Sequence, residues 1–509
     1  MPIGRTTSVA LLGLAGSIVE IEADLSSNLP AFVLIGLPDA ALGEARDRVR
    51  SAATNSGCPL PNRKLTVNLS PAALPKHGSA FDLAIALAAL AAAGSVSADS
   101  VAGVVHLGEL GLDGRLRPVR GVLPAVLAAA RAGAPTVMVP SGNLDEASLV
   151  PGIRVVAAAS LRDAAIWHGG EFEPHQVDPV LWATERVESA EETDLADVVG
   201  NEDAVEALQV AAAGGHHLLL LGPPGAGKSM LAARLPGLLP DLDTEAALEV
   251  SSLRSLSGLP VAHRLETRPP FEAPPHTASA AALIGGGSGT IRPGAAARAS
   301  HGVLFLDEAP EYPRAVLDAL RQPLESGVIS IHRANAVATY PARFQLVLAA
   351  NPCPCGQYGA ADQDCTCTPI TRRRYLARLS GPLLDRIDIQ LRVARITSAR
   401  LRMAGETTGV STAQARGRVQ RARARAAQRL ASTPWSINSQ VPGAWLRGRA
   451  PRLDRGATAA IDRALERGGL TMRGYDRVLR LAWTIADLDG SDRPTAEHLG
   501  QALYLRRSA

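Results

Sequence analysis

The chain has 509 residues, 46% of them hydrophobic and 20% charged, with a formal net charge of +3. That length holds two or three domains, and that composition excludes a disordered or fibrous chain. The near-neutral balance neither demands nor excludes nucleic acid, so any basic surface is local.

The first residues carry an apolar run from Val9 to Val19 that imitates a signal peptide. Glu20, Glu22 and Asp24 then interrupt it, and no small-residue cleavage site follows, so a first pair of strands is expected. Segments 31–36 and 64–69 read as strands, 39–56 and 81–93 as helices, 108–118 as a hairpin and 136–140 as a short strand. Residues 1–170 therefore form one α/β or α+β domain. The apolar stretch 83–98 is rich in alanine and shorter than the ~20 residues a bilayer requires, so no membrane partner is expected. Residues 171–195 are polar and acidic, include Pro174 and Pro179, and read as a linker. From 196 to 394 strands and helices alternate again, and from 395 to 509 the pattern is mostly helical.

Gly222-Pro223-Pro224-Gly225-Ala226-Gly227-Lys228-Ser229 matches the P-loop pattern in full, with Met230 continuing into a helix. Consecutive backbone N–H groups cradle phosphates there, and the helix dipole adds positive potential. Lys228 offers a point charge to the β- and γ-phosphates of ATP, and Ser229 a hydroxyl to Mg²⁺. The preceding residues 217–221 read as a buried strand. A second buried strand, 302–306, ends in Asp307 and Glu308. Ligands bind at the carboxyl ends of such strands. Asp307 is expected to hold Mg²⁺ and Glu308 to deprotonate the attacking water. A third strand, 344–350, ends at Asn351, whose amide suits the attacking water or the γ-phosphate. Arg386 follows a short helix, and Arg473 lies where a C-terminal helix opens. In this order they match the remaining parts of a phosphoryl-transfer site, with one arginine donated by a neighbouring subunit, which implies a ring.

These motifs, with Ala-Ala-Asn-Pro-Cys-Pro-Cys-Gly at 349–356 and Pro-Leu-Leu-Asp-Arg-Ile-Asp at 382–388, resemble the magnesium-chelatase-like AAA+ ATPases of the YifB/ComM family over essentially the whole chain. The resemblance implies a P-loop AAA+ core followed by a C-terminal helical lid. It implies Lys228 and Ser229 as Walker A, Asp307 and Glu308 as Walker B, and Asn351 as sensor 1. Arg386 becomes the arginine finger and Arg473 sensor 2, serving either its own or a neighbouring subunit. The resemblance also implies a homo-oligomeric ring of six.

Residues 65–71 and 74–82 resemble the Lon-protease-type fold (ribosomal S5 domain 2-like) at the front of this family. Lon carries Pro-Lys-Asp-Gly-Pro-Ser with a serine nucleophile. In the same register that serine falls on Ala80 and the Lon lysine on Leu123, so the resemblance implies a domain without the catalytic dyad. Lys76 stands out because the chain has only three lysines, Lys64, Lys76 and Lys228. A strand-end structural role also fits it.

Four of the five cysteines, Cys353, Cys355, Cys365 and Cys367, lie in one loop. They do not read as a disulfide framework, which points to a reducing cytoplasm. Four thiolates in two pairs suit one structural Zn²⁺, although C-x-C is a tighter bite than the usual C-x-x-C, and reduced thiols fit as well. Residues 327–341 read as a hairpin with Arg333 near its tip, and 283–294 as a glycine-rich loop carrying Arg292. In rings resembling this clade such insertions line the pore and touch DNA, which makes both arginines candidate phosphate contacts or ordinary solvated residues. Arg416, Arg418, Arg421, Arg423, Arg425 and Arg429 crowd one helix, a pattern that fits nucleic acid or acidic neighbours. The resemblance implies a motor that translocates on, unwinds or branch-migrates single-stranded or branched DNA in recombination and natural transformation. The alternative is an ATP-driven protein remodeller, chelatase- or chaperone-like. An ATP-dependent protease is disfavoured by Ala80 and Leu123.

Overall fold

The computed structural model describes residues 3–27, 29–36, 40–72, 74, 76, 78–182, 193–261, 263–287, 291–333, 336–359, 365–396, 409–448, 453 and 455–507. Part of the expected linker (183–192), the tip of the 327–341 hairpin (334–335), part of the glycine-rich loop (288–290) and part of the cysteine loop (360–364) lie outside the described residues.

The N-terminal region is built on seven strands: β1 (Gly4–Leu12), β2 (Ala15–Ser26), β3 (Ala31–Ile35), β4 (Lys64–Ser70), β5 (Val105–His106) and, beyond the small hairpin β6 (Glu109–Leu110) and β7 (Leu116–Arg117), β8 (Thr136–Pro140) and β9 (Arg154–Ala158). They lie in the order β3-β4-β2-β1-β5-β8-β9. The acids that interrupt the first apolar run mark strand alternation. Val19, Ile21, Ala23 and Leu25 of β2 face the core, and Glu20 and Asp24 face outward. β4 repeats the pattern with Leu65, Val67 and Leu69 inside. The helix Asp82–Ala92, buried along its whole length, packs on β1 and β2. Its uniform apolarity is that of a core helix. Asp82, at its start, is buried and ion-paired to Arg48 at 2.9 Å, and burial lifts its pKa to about 6.

The second region has a five-stranded, wholly parallel sheet in the order β11-β14-β17-β10-β18. Its strands are β10 (Leu218–Leu221), β11 (Phe271–Glu272), β14 (Val303–Leu306), β17 (Gln345–Ala350) and β18 (Ile389–Arg392). β10, β14 and β17 are buried throughout, so they carry continuous apolar runs rather than alternation. The polar exception, Gln345, is satisfied by the carbonyls of Ala211 and His216 at 3.0 and 2.7 Å. Two antiparallel pairs project from this core: β12 (Gly285–Gly286) with β13 (Arg292–Pro293), and β15 (Val328–Arg333) with β16 (Ala336–Pro341).

The C-terminal region is helical: Thr412–Arg429, Gly443–Gly448, Arg455–Glu466, Met472–Asp489 and Ala496–Arg507. The first of these opens with a capping box of Ser411 and Gln414 and buries Ala415, Val419, Ala422 and Ala426, one helical stripe. Its arginines meet neighbours within the chain. Arg416 pairs with Asp241 at 2.7 Å, Arg418 with Glu206 and Asp489 at 2.6 and 3.0 Å, and Arg429 with Asp487. Arg423 and Arg425 donate to the carbonyls of Ala212 and Asp487. Of the two readings of this helix, acidic and carbonyl neighbours account for five of its six arginines. Among the described residues, no helix is long and apolar enough to cross a membrane.

The two sheet regions touch. The helix Val122–Arg131 packs on the helix Thr244–Ser257. Leu12 and Leu14, at the β1–β2 turn, pack against the apolar cluster that holds Ile329, Ala338 and Tyr340 of the β15–β16 hairpin.

Candidate nucleotide-hydrolysis site

β10 runs into the glycine-rich loop 222–229, and the helix Lys228–Leu238 leaves it. Gly227 stands at φ +85 immediately before that helix, a left-handed conformation open to glycine, and it turns the chain so that the helix N-terminus faces the loop. Lys228 is buried, and three oxygens hold its ammonium: the carbonyls of Gly222 and Pro223 at 2.7 and 3.0 Å and Oδ1 of Asn351 at 3.0 Å. Burial pushes its pKa down, and the charges of Asp307 and Glu308 oppose that shift.

Sheet order explains why Asn351 reaches it. β17 lies between β10 and β14, so the residue that ends β17 stands between the P-loop and the acidic strand end. On the far side, Ser229 Oγ donates to Asp307 Oδ2 at 2.7 Å. Asp307 Oδ1 accepts the backbone N–H of Glu308 at 2.8 Å. Ser229 and Asp307 form an all-oxygen donor set, which is the chemistry Mg²⁺ selects, so the residues present fit that ion.

Glu308 has φ +49. A non-glycine residue in the left-handed region costs on the order of 1–3 kcal/mol and clusters at functional sites. The turn aims its half-exposed carboxylate at His276, with Nδ1 3.2 Å from Oε2. No contiguous motif marks His276. The available signal was positional: it follows β11, which pairs in parallel with β14, so a polar residue just past its end lies at the ligand-binding edge.

The structure thus brings Lys228, Ser229, Asp307, Glu308 and Asn351 together. The remaining two arginines stand apart from this cluster. Arg386 follows the short helix Gly381–Leu384 and is ion-paired to Glu325. Arg473, on the first turn of Met472–Asp489, is 78% exposed and 3.9 Å from Asp385. Four residues on, Arg477 pairs with buried Asp388 and donates to the carbonyl of Arg386 at 3.1 Å. The C-terminal helix is therefore stapled to the segment carrying Arg386. Burial alone raises the pKa of Asp388, but the charge of Arg477 and a hydrogen bond from His216 outweigh it and hold the carboxyl well below the usual range.

The two insertions meet as well. Arg333, at the end of β15, donates to the carbonyl of Gly287 in the glycine-rich loop. Arg292, on β13, is exposed. Lys76 is buried and donates to the carbonyls of Pro71 and Leu74 at 2.7 and 3.1 Å, the structural role.

A five-stranded parallel sheet with a complete P-loop and an acidic strand end separated by one strand defines a nucleotide-binding core of the P-loop class. Models of magnesium chelatase subunit ChlI match residues 21–143 and 194–401, and that of its C-terminal part matches 409–506. The chain is 52% identical to an uncharacterized protein of Mycobacterium tuberculosis over 509 residues, 100% of this chain and 99% of that one. It is 41% identical to the competence protein ComM of Haemophilus influenzae, covering 99% and 98% of the two chains. Identity to the uncharacterized protein YifB of Escherichia coli is 40%, covering 98% and 96%. The chain belongs to the magnesium-chelatase-like AAA+ family of ComM and YifB. A Lon protease of Mycolicibacterium smegmatis is 32% identical over 156 residues, 29% of this chain and 20% of the protease.

Proposed function

We propose that this chain is the subunit of a cytoplasmic homo-oligomeric ring, six-membered by family resemblance, that couples ATP hydrolysis to movement on single-stranded or branched DNA. In this reading residues 196–394 are the AAA+ core and 395–509 the lid. Residues 1–170 are a Lon-like domain without its dyad, joined through the linker 171–195. ATP lies on the loop from Gly222 to Met230. Lys228 exchanges its carbonyl partners for the β- and γ-phosphate oxygens. Ser229 and Asp307 hold Mg²⁺, which supplies Lewis-acid stabilisation of phosphate charge. Glu308 takes a proton from water as its oxygen attacks the γ-phosphorus, and ADP leaves. Asn351 orients that water or the phosphate. Arg386 of a neighbouring subunit neutralises transition-state charge, and Arg473 senses the nucleotide from the lid. The four clustered cysteines hold a structural Zn²⁺.

The observation that supports DNA as the substrate is the exposure of Arg292 on an insertion that a second arginine-bearing insertion meets through Arg333 and the carbonyl of Gly287. The arginines along Thr412–Arg429, tied to partners within the chain, lend DNA no such support, and this favours the protein remodeller as the second reading. Steady-state ATPase rates with single-stranded, duplex and four-way-junction DNA at two salt concentrations separate the two. Stimulation that falls with salt supports the DNA motor. An unchanged rate on every DNA, with no binding, gives the protein remodeller.

A further inference from the structure

The loop that follows Asn351 gathers four sulfurs. Cys353 Sγ lies 3.3 Å from Cys355 Sγ and 3.7 Å from Cys365 Sγ, and the last two are 3.6 Å apart. Cys367 completes a set whose ligand atoms all lie within 4.8 Å of one another, and none is in a disulfide. Zn²⁺ bound tetrahedrally at about 2.3 Å to each thiolate sets sulfur–sulfur edges of about 3.8 Å, so the quartet needs little movement to close on the ion. Cys353 is buried and the others are partly exposed, which leaves the ion a way in. Four thiolates fill a tetrahedron and leave no open position, the mark of a structural site.

Gly356 stands at φ +78, and a Cβ built on it would meet Cδ and Cγ of Pro224 at 2.6 and 2.7 Å. Pro224 is the third residue of the phosphate-binding loop. At the other end of the same short peptide, Asn351 accepts the ammonium of Lys228. Residues 351–356 therefore touch the P-loop at both ends and carry two of the four thiolates between. The other pair lies just before the helix Pro369–Leu376, whose first turn Thr368 caps, accepting Thr371 N–H at 3.2 Å. Beyond that helix, Arg378 donates to the carbonyl of Pro310 at 3.1 Å and to Glu311 at 3.0 Å, just past Glu308.

We propose that the quartet binds one Zn²⁺ per chain and that the ion is a clasp for the nucleotide site, coupling metal retention to ATP binding. The proposal rests on the ATPase reading above. Zn²⁺ ties 353–355 to 365–367. With it in place, Pro224 is backed by Gly356 and Asn351 is held against Lys228. Without it, the peptide 351–356 loses its anchor and the P-loop loses support on that side. Linkage is reciprocal, so bound ATP slows release of the metal by the same coupling.

The test uses the full chain with Glu308→Gln, so that ATP is not consumed. Metal content is measured on protein purified without chelator, and cobalt replaces zinc to report thiolate charge-transfer and tetrahedral d–d bands. Affinity for a fluorescent ATP analogue is then compared before stripping, after stripping and after zinc is returned. The expected result is one zinc per chain, thiolate bands with cobalt, and an affinity that falls roughly tenfold or more on stripping and returns with zinc, the scale of a displaced binding group. A chain without metal and without cobalt–thiolate bands overturns the site and the clasp together. A metal-loaded chain whose affinity changes less than about twofold on stripping, under 0.5 kcal/mol, overturns the clasp and leaves the site standing. A metal-loaded chain that binds no nucleotide overturns the ATPase reading instead. Gly356→Ala decides the case of a stripped chain that unfolds. It keeps all four thiolates but presses a methyl group on Pro224, so retained zinc with weakened ATP supports the clasp, and unaltered ATP affinity overturns it.

Discussion

The two sheets of this chain place opposite chemistry at their candidate centres. In the second, Lys228 bonds Asn351, and beside them Ser229 and the backbone of Glu308 both donate to Asp307. In the first, Ala80 and Leu123, the positions that the Lon resemblance would give to a dyad, share an apolar cluster instead. Leu123 is fully buried in a cluster with Val9, Leu107 and Val126, and Ala80 packs against the same cluster. Leu248, from the helix Thr244–Ser257, belongs to it too. The backbone N–H of Leu123 donates to Glu146 at 3.1 Å, a half-buried residue whose carboxyl pKa is raised by desolvation. On the proposed Lon-like reading, the scaffold persists without its chemistry, and function follows side chains rather than fold.

The largest effect is expected at the polar centre. In the proposed mechanism Glu308→Gln leaves the phosphate-binding and Mg²⁺-holding residues in place but removes the base, so turnover is expected to fall about 10²- to 10⁴-fold while ATP binding persists. Wild-type turnover in that variant, measured beside nucleotide affinity, would remove Glu308 from the chemistry. The apolar centre answers a different substitution. Leu123→Lys places an unpaired charge where no solvent reaches, at a cost of roughly 3–5 kcal/mol. The first melting transition is then expected to drop by about 10 °C. No peptidase activity accompanies it, because Ala80 supplies no nucleophile. A melt shifted by only a degree or two would show that the lysine reaches water or a carboxylate, and the contrast between the two centres would weaken.

Acid treats the two sheets alike. His168 in the first and His217 in the second are each pushed down to about 4 by burial. His168 Nε2 faces His106 Nε2 at 2.9 Å, and Asp388, Arg477 and His216 act on His217. An unfolded histidine titrates near 6.5. The folded values lie below it, so the unfolded chain takes the proton first. Their stabilising contribution is whole above about pH 6.5 and is lost as pH falls toward 4, at up to ~1.4 kcal/mol per pH unit for each ring. Asp388 acts in a lower window, its contribution draining only below its unfolded value of about 3.9. Thermal melts at pH 7, 6 and 5 are expected to fall in steps, and equal melting temperatures at pH 7 and 5 would show that both rings already carry protons in the fold.

The P-loop and the acidic strand end were legible because each is a contiguous string whose spacing is set by phosphate geometry. Element types in the first sheet were legible for a similar reason. β4 alternates cleanly, and Asp82–Ala92 is apolar on every face. The pairing of Arg333 with Gly287 was not legible, because it joins residues 46 apart across two irregular insertions. The two C-x-C pairs were legible as a set suited to one ion, and the structure brings their four sulfurs together, though no periodicity governs the loop between them. The arginine-rich helix was legible as basic but not as self-satisfied, since its partners Glu206, Asp241 and Asp487 lie far away in sequence. His276 was silent for the same reason: its significance comes from strand order, which places the end of β11 beside that of β14.

That residue gives the smallest expected effect. His276 and Glu308 are each about half exposed, so solvent screens their contact and it is worth at most about 1 kcal/mol. The contact nevertheless fixes where the base points. While Glu308 faces His276, its carboxylate is engaged by that ring. The segment after His276 runs into the helix Ala280–Ile284 and then to the glycine-rich loop that Arg333 touches. On the proposed DNA reading, a ligand bound at that loop is linked through this segment to His276. His276→Ala is expected to raise basal ATP turnover up to about fivefold, the ceiling set by a contact of that size, and to shrink the further stimulation by DNA. His276→Gln, which keeps a donor near the carboxylate, is expected to stay near wild type. Lower basal turnover in the alanine variant would make His276 a helper of the base rather than a restraint upon it, and the polar centre would then have one more working member.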